Sequence, residues 1–197
     1  MHIRPDISDK LVHFTSGDSS EQAYQKLKSI ISQRCLIGSS EKLKGGFRCV
    51  CFSEAPLINL SEGLVNPTAY SRYSPFGILV SKKWLFNLGG RPVIYQSDNE
   101  YDAFPESIRW RHVRYEPNID NPIDFTWERE WRIHIESLRI DFHNAVIVMP
   151  DDKWAQRLHD EHKEEQDFKI YQYKQVLDED IAEQYREEFG WRIYRLN

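Results

Sequence analysis

A chain of 197 residues, 40% hydrophobic and 13% aromatic, is long enough to bury a sizeable core and is far from a disordered composition. A net charge of −5 argues against tight, sequence-independent binding to duplex nucleic acid, which requires many Lys and Arg contacts. No apolar run approaches the ~20 residues of a membrane span, Met1 to Asp6 has no signal-peptide character, and three cysteines without framework spacing (Cys35, Cys49, Cys51) suit reduced thiols, so a cytoplasmic protein without a membrane partner is expected.

In chain order, Leu11–Phe14 reads as a strand and Ser16–Ser20 as turn and N-cap chemistry. A helix over Glu21–Arg34 follows, with Ala23, Leu27, Ile30 and Ile31 on its inner face. Phe47–Ser53 suits a strand, and Ser61–Pro75 reads as a long surface excursion. The pattern then predicts a strand at Gly77–Val80, a helix at Lys82–Leu88 and a strand at Pro92–Tyr95. Further strands are expected at Arg132–Ile135 and Ala145–Met149, a helix over Asp152–Gln166, an edge strand at Phe168–Tyr171, a helix over Ile181–Phe189 and a last strand at Trp191–Tyr194. Short strands and helices without a regular strand-helix-strand rhythm, and without a linker or repeat, predict one α+β domain over residues 1–197. The Rossmann and P-loop glycine patterns are both absent.

Chemistry-bearing residues concentrate in a few places. In Thr126-Trp127-Glu128-Arg129-Glu130-Trp131-Arg132, an extended backbone would put Glu128 and Glu130 on one side, where paired carboxylates can bind ribose hydroxyls or stabilise an oxocarbenium-like centre. A solvated edge strand whose charges pair with Arg129 and Arg132 explains the same residues. His13, within an apolar strand, is either a satisfied core residue or a ligand contact, and the same choice applies to Ser53. Arg109-Trp110-Arg111-His112-Val113-Arg114-Tyr115 could hold phosphates and stack a base, or be an amphipathic strand with its arginines paired to Glu106 and Glu116. His159 and His162 have the wrong spacing for a two-histidine metal motif, and Cys49 and Cys51 lack a second pair, so no metal is expected.

The order Leu11-Val12-His13-Phe14-Thr15, then Val50-Cys51-Phe52-Ser53-Glu54, then the Glu128/Glu130 pair resembles the ADP-ribosyltransferase superfamily, within it the bacterial toxin and phage-defence branches with DarT-like and AbiGi-like proteins. Phe76–Val80 and Arg91–Tyr95 also look like the middle of AbiGi-like chains. The resemblance implies two small antiparallel sheets flanking an NAD cleft, with peripheral helices. It implies NAD as co-substrate, His13 with nearby Thr15 at the ribose, Phe52 and Ser53 at the nicotinamide pocket, Tyr70 or Tyr73 stacking on nicotinamide, and Glu130 with Glu128 as the catalytic pair. The acceptor it suggests is nucleic acid, for which the basic segment read above offers Arg109, Arg111 and Arg114, and an antitoxin or other regulatory protein is an expected partner. Two departures stand out: Cys-Phe-Ser replaces the superfamily's Ser-Thr-Ser, and the chain beyond about Met149 has no counterpart. Two other readings are a catalytically silent member of the fold that binds a nucleotide or partner, and RNA 2′-phosphate transfer, which the acidic pair disfavours.

Overall fold

The computed structural model describes residues 7–54, 57 and 73–196. The strands are β1 (Lys10–Phe14), β2 (Cys35–Ile37), β3 (Cys49–Ser53), β4 (Gly77–Ser81), β5 (Arg91–Pro92), β6 (Ile94–Gln96), β7 (His112–Arg114), β8 (Glu130–His134), β9 (Ser137–Arg139), β10 (Ala145–Met149) and β11 (Ile193–Arg195). The helices are α1 (Ser20–Gln33), α2 (Lys82–Asn87), α3 (Asp152–Tyr173) and α4 (Glu179–Glu183), with short 3-10 turns at Asp98–Ala103, Glu106–Arg111 and Thr126–Glu128. The chain is α+β, as the irregular alternation of short elements predicts.

Among the described residues, seven strands join in one sheet, in the order β11-β10-β4-β1-β3-β8-β5, and two-stranded ribbons pair β2 with β9 and β6 with β7. The sheet is antiparallel throughout except for the parallel β10–β11 edge. Where the family resemblance implies two small sheets flanking a cleft, the main strands instead form one sheet, in which the β1–β3 junction is thin. Among the described residues, five residue pairs link β1 to β4 and five link β3 to β8, whereas β1 and β3 meet in register only at Val12↔Ser53. Gly77 permits the close approach on the β4 side, because a Cβ there would lie 2.6 Å from the His13 carbonyl oxygen.

Period-two alternation gives the sheet two different faces. Leu11, Val50, Phe52, Ile78, Val80, Trp131, Ile133, Ile147 and Met149 form the main core with Ala23, Tyr24 and Leu27 of α1 and Ala155 and Leu158 of α3. Each Val, Leu, Ile, Phe or Met side chain among these, once removed from water, contributes about 1.5–3 kcal/mol. The opposite face carries a smaller cluster of Val12, Phe14, Leu79 and Val148, with Tyr73 and Trp127 packed against it. That second face is where the cleft opens.

Several elements differ from the sequence reading. Phe168–Tyr171 is the last part of α3, not an edge strand; Ile170 is buried on the helix while Phe168 and Tyr171 are exposed, and no turn residue interrupts the run. The helix expected over Ile181–Phe189 shortens to Glu179–Glu183, started by the Asp178 side chain accepting from the Asp180 N–H. Pro92 to Tyr95 splits between two sheets, with Val93 donating to the Glu130 carbonyl at 3.0 Å. The segment Arg109–Tyr115 is a 3-10 turn running into β7 rather than one strand.

Candidate functional site

The site grows from the seam. Because β1–β3 pairing stops after one residue pair, the Cys51 carbonyl needs another donor, and His13 supplies it: Nδ1 donates at 2.8 Å. That bond fixes the neutral tautomer and leaves Nε2 as an acceptor. Burial lowers the His13 pKa, only partly opposed by the bond to Cys51. By alternation His13 belongs with Leu11 and Phe52 on the core side, and its ring meets Phe52 edge-on at 5.9 Å. The open seam nevertheless exposes it to a small cavity of about 110 Å³ lined also by Phe52, Ser53, Tyr73, Glu128 and Glu130.

A larger chamber of about 490 Å³ adjoins it, sharing Phe14, Cys51, Tyr73, Glu128 and Glu130 as lining and extending to Lys42, Asp98, Arg114 and Trp127. Its floor is set by the β3–β8 ladder, which pairs Cys51 with Arg132 and Ser53 with Glu130 and so aligns all four on one face. The two glutamates do not reach that face along an extended backbone. Thr126–Glu128 is a 3-10 turn begun by the Asp124 carboxylate, which accepts from the Thr126 N–H and hydroxyl, and Arg129 closes it in the left-handed region at φ 45°. The Ser53 hydroxyl donates to the Glu128 carbonyl, and the Tyr95 hydroxyl accepts from the Glu130 N–H at 3.0 Å, holding the turn to the strand that follows.

Of the solvated-edge-strand reading only the Glu130–Arg132 pairing holds, since β8 lies between β3 and β5 and both side chains of the pair are largely buried. Glu130 is paired with Arg132, whose Nε and Nη2 reach its two carboxylate oxygens at 2.8 and 3.1 Å, and yet it lines both cavities. Glu128 is hydrogen-bonded by the Tyr73 hydroxyl; burial, then the Glu128 charge, pushes the Tyr73 pKa up, so the phenol keeps its proton. Cys51 is likewise held as a thiol, raised by burial and by Glu130, and burial pushes Cys49 up to about 11. Breaking a buried pair such as Glu130–Arg132 by removing one partner typically costs about 3–5 kcal/mol.

Of the residues expected at the site, His13, Phe52, Ser53, Tyr73, Glu128 and Glu130 line the small cavity, and Arg114 lines the chamber. Tyr70 lies outside the described residues. Thr15 is not in the lining: its buried hydroxyl bonds the carbonyls of Ala23 and Phe76 at 3.0 and 3.1 Å, tying the end of β1 to α1. Arg109 and Arg111 also face elsewhere, because backbone carbonyls claim their guanidinium groups: Phe104 and Asp102 for Arg109, and Pro92 for Arg111. Arg114, about half exposed and 3.7 Å from Glu116, is the only one of the three on the chamber wall.

The sequence reading has Arg132 only as a charge partner of the acidic pair and leaves Cys51, Lys42 and Trp127 out of the site. Arg132 and Cys51 could have been read from strand alternation, since each lies two residues from a named candidate. Lys42 and Trp127 carry no such signal, although the Trp127 Nε1 is buried without a hydrogen-bond partner among the described residues. His159 and His162 pack against Phe189 at 4.3 and 5.3 Å, and among the described residues no group of three metal-ligating side chains gathers. Among the same residues no helix is long and apolar enough to cross a membrane. Compared with protein-family models, with curated proteins and with solved structures, the chain matches none.

Proposed function

We propose that the seam cleft binds NAD and that the protein is an NAD-dependent ADP-ribosyltransferase. The observation that carries this reading is the thin β1–β3 pairing, beside which His13, Ser53, Tyr73, Glu128 and Glu130 border one cavity that shares part of its lining with a larger chamber. The nicotinamide-ribose end enters the small cavity and the rest of the dinucleotide extends toward Arg114 and Lys42. His13 Nε2 accepts a ribose hydroxyl, since Nδ1 is already committed to Cys51.

In the transfer step the bond between ribose C1′ and the nicotinamide nitrogen breaks, and nicotinamide leaves as a neutral base carrying the bonding electron pair. Positive charge builds on the ribose, and the Glu130 carboxylate, also hydrogen-bonded to a ribose hydroxyl, stabilises that state more than the ground state. An oxygen or nitrogen of the acceptor bonds to C1′, and its proton passes to Glu128 and then to water. An acceptor rich in phosphate, such as a nucleic acid, suits the Lys42 and Arg114 side of the chamber, and a toxin or phage-defence effector in the cytoplasm is the biological setting that fits such chemistry.

One observation favours a second reading. Both Glu130 oxygens are already bonded to a cation, which suits a nucleotide-binding fold without transfer, a regulator with a partner protein. The experiment that separates the two is label transfer from NAD onto protein, DNA and RNA. Glu130→Gln should lower turnover by ~10²–10³ while NAD affinity changes little, because Gln keeps the hydrogen bond and loses the charge. Glu128→Gln should have a milder effect or shift acceptor preference. NAD binding with no transfer by the wild-type chain selects the silent reading.

A further inference from the structure

Arg132 is 6% exposed, yet its guanidinium is engaged on every side. Nε and Nη2 hold the two oxygens of Glu130 at 2.8 and 3.1 Å, and Nη1 donates to the carbonyls of Trp110 and His112 at 3.0 and 2.8 Å. Those carbonyls lie where the 3-10 turn Glu106–Arg111 passes into β7, the strand that brings Arg114 to the chamber wall. A buried cation needed only to balance charge would be served by a lysine; a planar fork instead fixes the rotation of the carboxylate it grips. Burial opposes the charge on Arg132, but attraction and hydrogen bonds from Glu130 outweigh it, so the cation persists.

We infer that Arg132 is a positioning residue: it locks the Glu130 carboxylate at one angle and registers it against the chamber wall, so that ribose and acceptor meet a fixed charge. The inference rests on the transferase reading. The fork leaves each Glu130 oxygen with further lone-pair capacity, so a ribose hydroxyl can bond without displacing Arg132. A residue serving only to seal β7 against the sheet would change stability and binding together, whereas a positioning residue affects turnover selectively.

The test compares wild type, Arg132→Lys and Arg132→Ala in label transfer from NAD, NAD binding by calorimetry and thermal melting, with and without added guanidinium chloride at a few millimolar. Misplacing a reacting group by about 1 Å costs on the order of 10²-fold. Both variants should therefore lose kcat to about that extent while the NAD dissociation constant stays within about threefold. Guanidinium should return part of the lost turnover to Arg132→Ala and none to Arg132→Lys, whose ammonium occupies the space. Where Arg132→Ala melts below the assay temperature, Arg132→Lys carries the test alone. Full turnover in Arg132→Lys, or no rescue of a folded Arg132→Ala, overturns the inference and leaves the transferase reading standing. A wild-type chain that binds NAD and transfers nothing removes both.

Discussion

At the residue scale, the imidazole of His13 occupies the point where the β1–β3 ladder gives out, and its proton state is linked to stability. Folding holds His13 neutral, because burial lowers its pKa below the ordinary 6.5. The unfolded chain takes up a proton below that pH, so unfolding is favoured by acid: the contribution is intact above about 6.5 and declines as pH falls toward the folded value, by at most about 1.4 kcal/mol per pH unit. Chemical denaturation from pH 7.5 to 5 should show this loss, and His13→Gln, which keeps a donor for the Cys51 carbonyl without titrating, should flatten it. An unchanged slope in the variant would assign the acid sensitivity to another group.

At the element scale, α3 is the support for the core face. Its N-cap Asp151 accepts from the Trp154 N–H at 3.1 Å, and Trp154 packs against Tyr24 and Phe76 at 5.1 and 4.9 Å. Glu161 on the same helix accepts from the Tyr24 hydroxyl, Lys28 and Arg157, joining α3 to α1. Asp151→Ala should cost about 1 kcal/mol, read as a lower denaturation midpoint at unchanged m-value, without altering NAD affinity because the helix lies on the face away from the cleft. A loss of NAD binding in that variant would mean that the two faces are coupled through the sheet.

At the scale of the whole molecule, the proposed NAD site lies across the thin seam, so a ligand bound there would bridge two half-sheets. NAD spanning β1 on one side and the β3–β8 pair on the other should protect amides of both halves from exchange and raise the melting temperature, the gain reaching about 2.7 kcal/mol at a hundredfold excess over the dissociation constant. Hydrogen exchange with and without NAD reads this directly. Protection confined to one half would place the ligand outside the seam.

The sequence by itself determined the mixed class, the positions of β1, β3, β4 and β10 and most of α1, because alternation, caps and turn residues act over short separations; grouping His13, Ser53 and Glu130 at one site came from the family resemblance and not from local pattern. It could not decide whether β1–β3 pairing would run on or stop after Val12↔Ser53, since that depends on long-range register. Nor could local pattern distinguish a cleft-facing Arg114 from Arg109 and Arg111, whose guanidinium groups are taken by carbonyls 5 to 19 residues away. Thr15 was misplaced for the same reason: its second carbonyl partner, on Phe76, is 61 residues distant. The pairing of Glu130 with Arg132 had been visible as a charge pattern, but only the tertiary structure put that pair on the floor of a cavity, where its geometry rather than its charge balance becomes the property that matters.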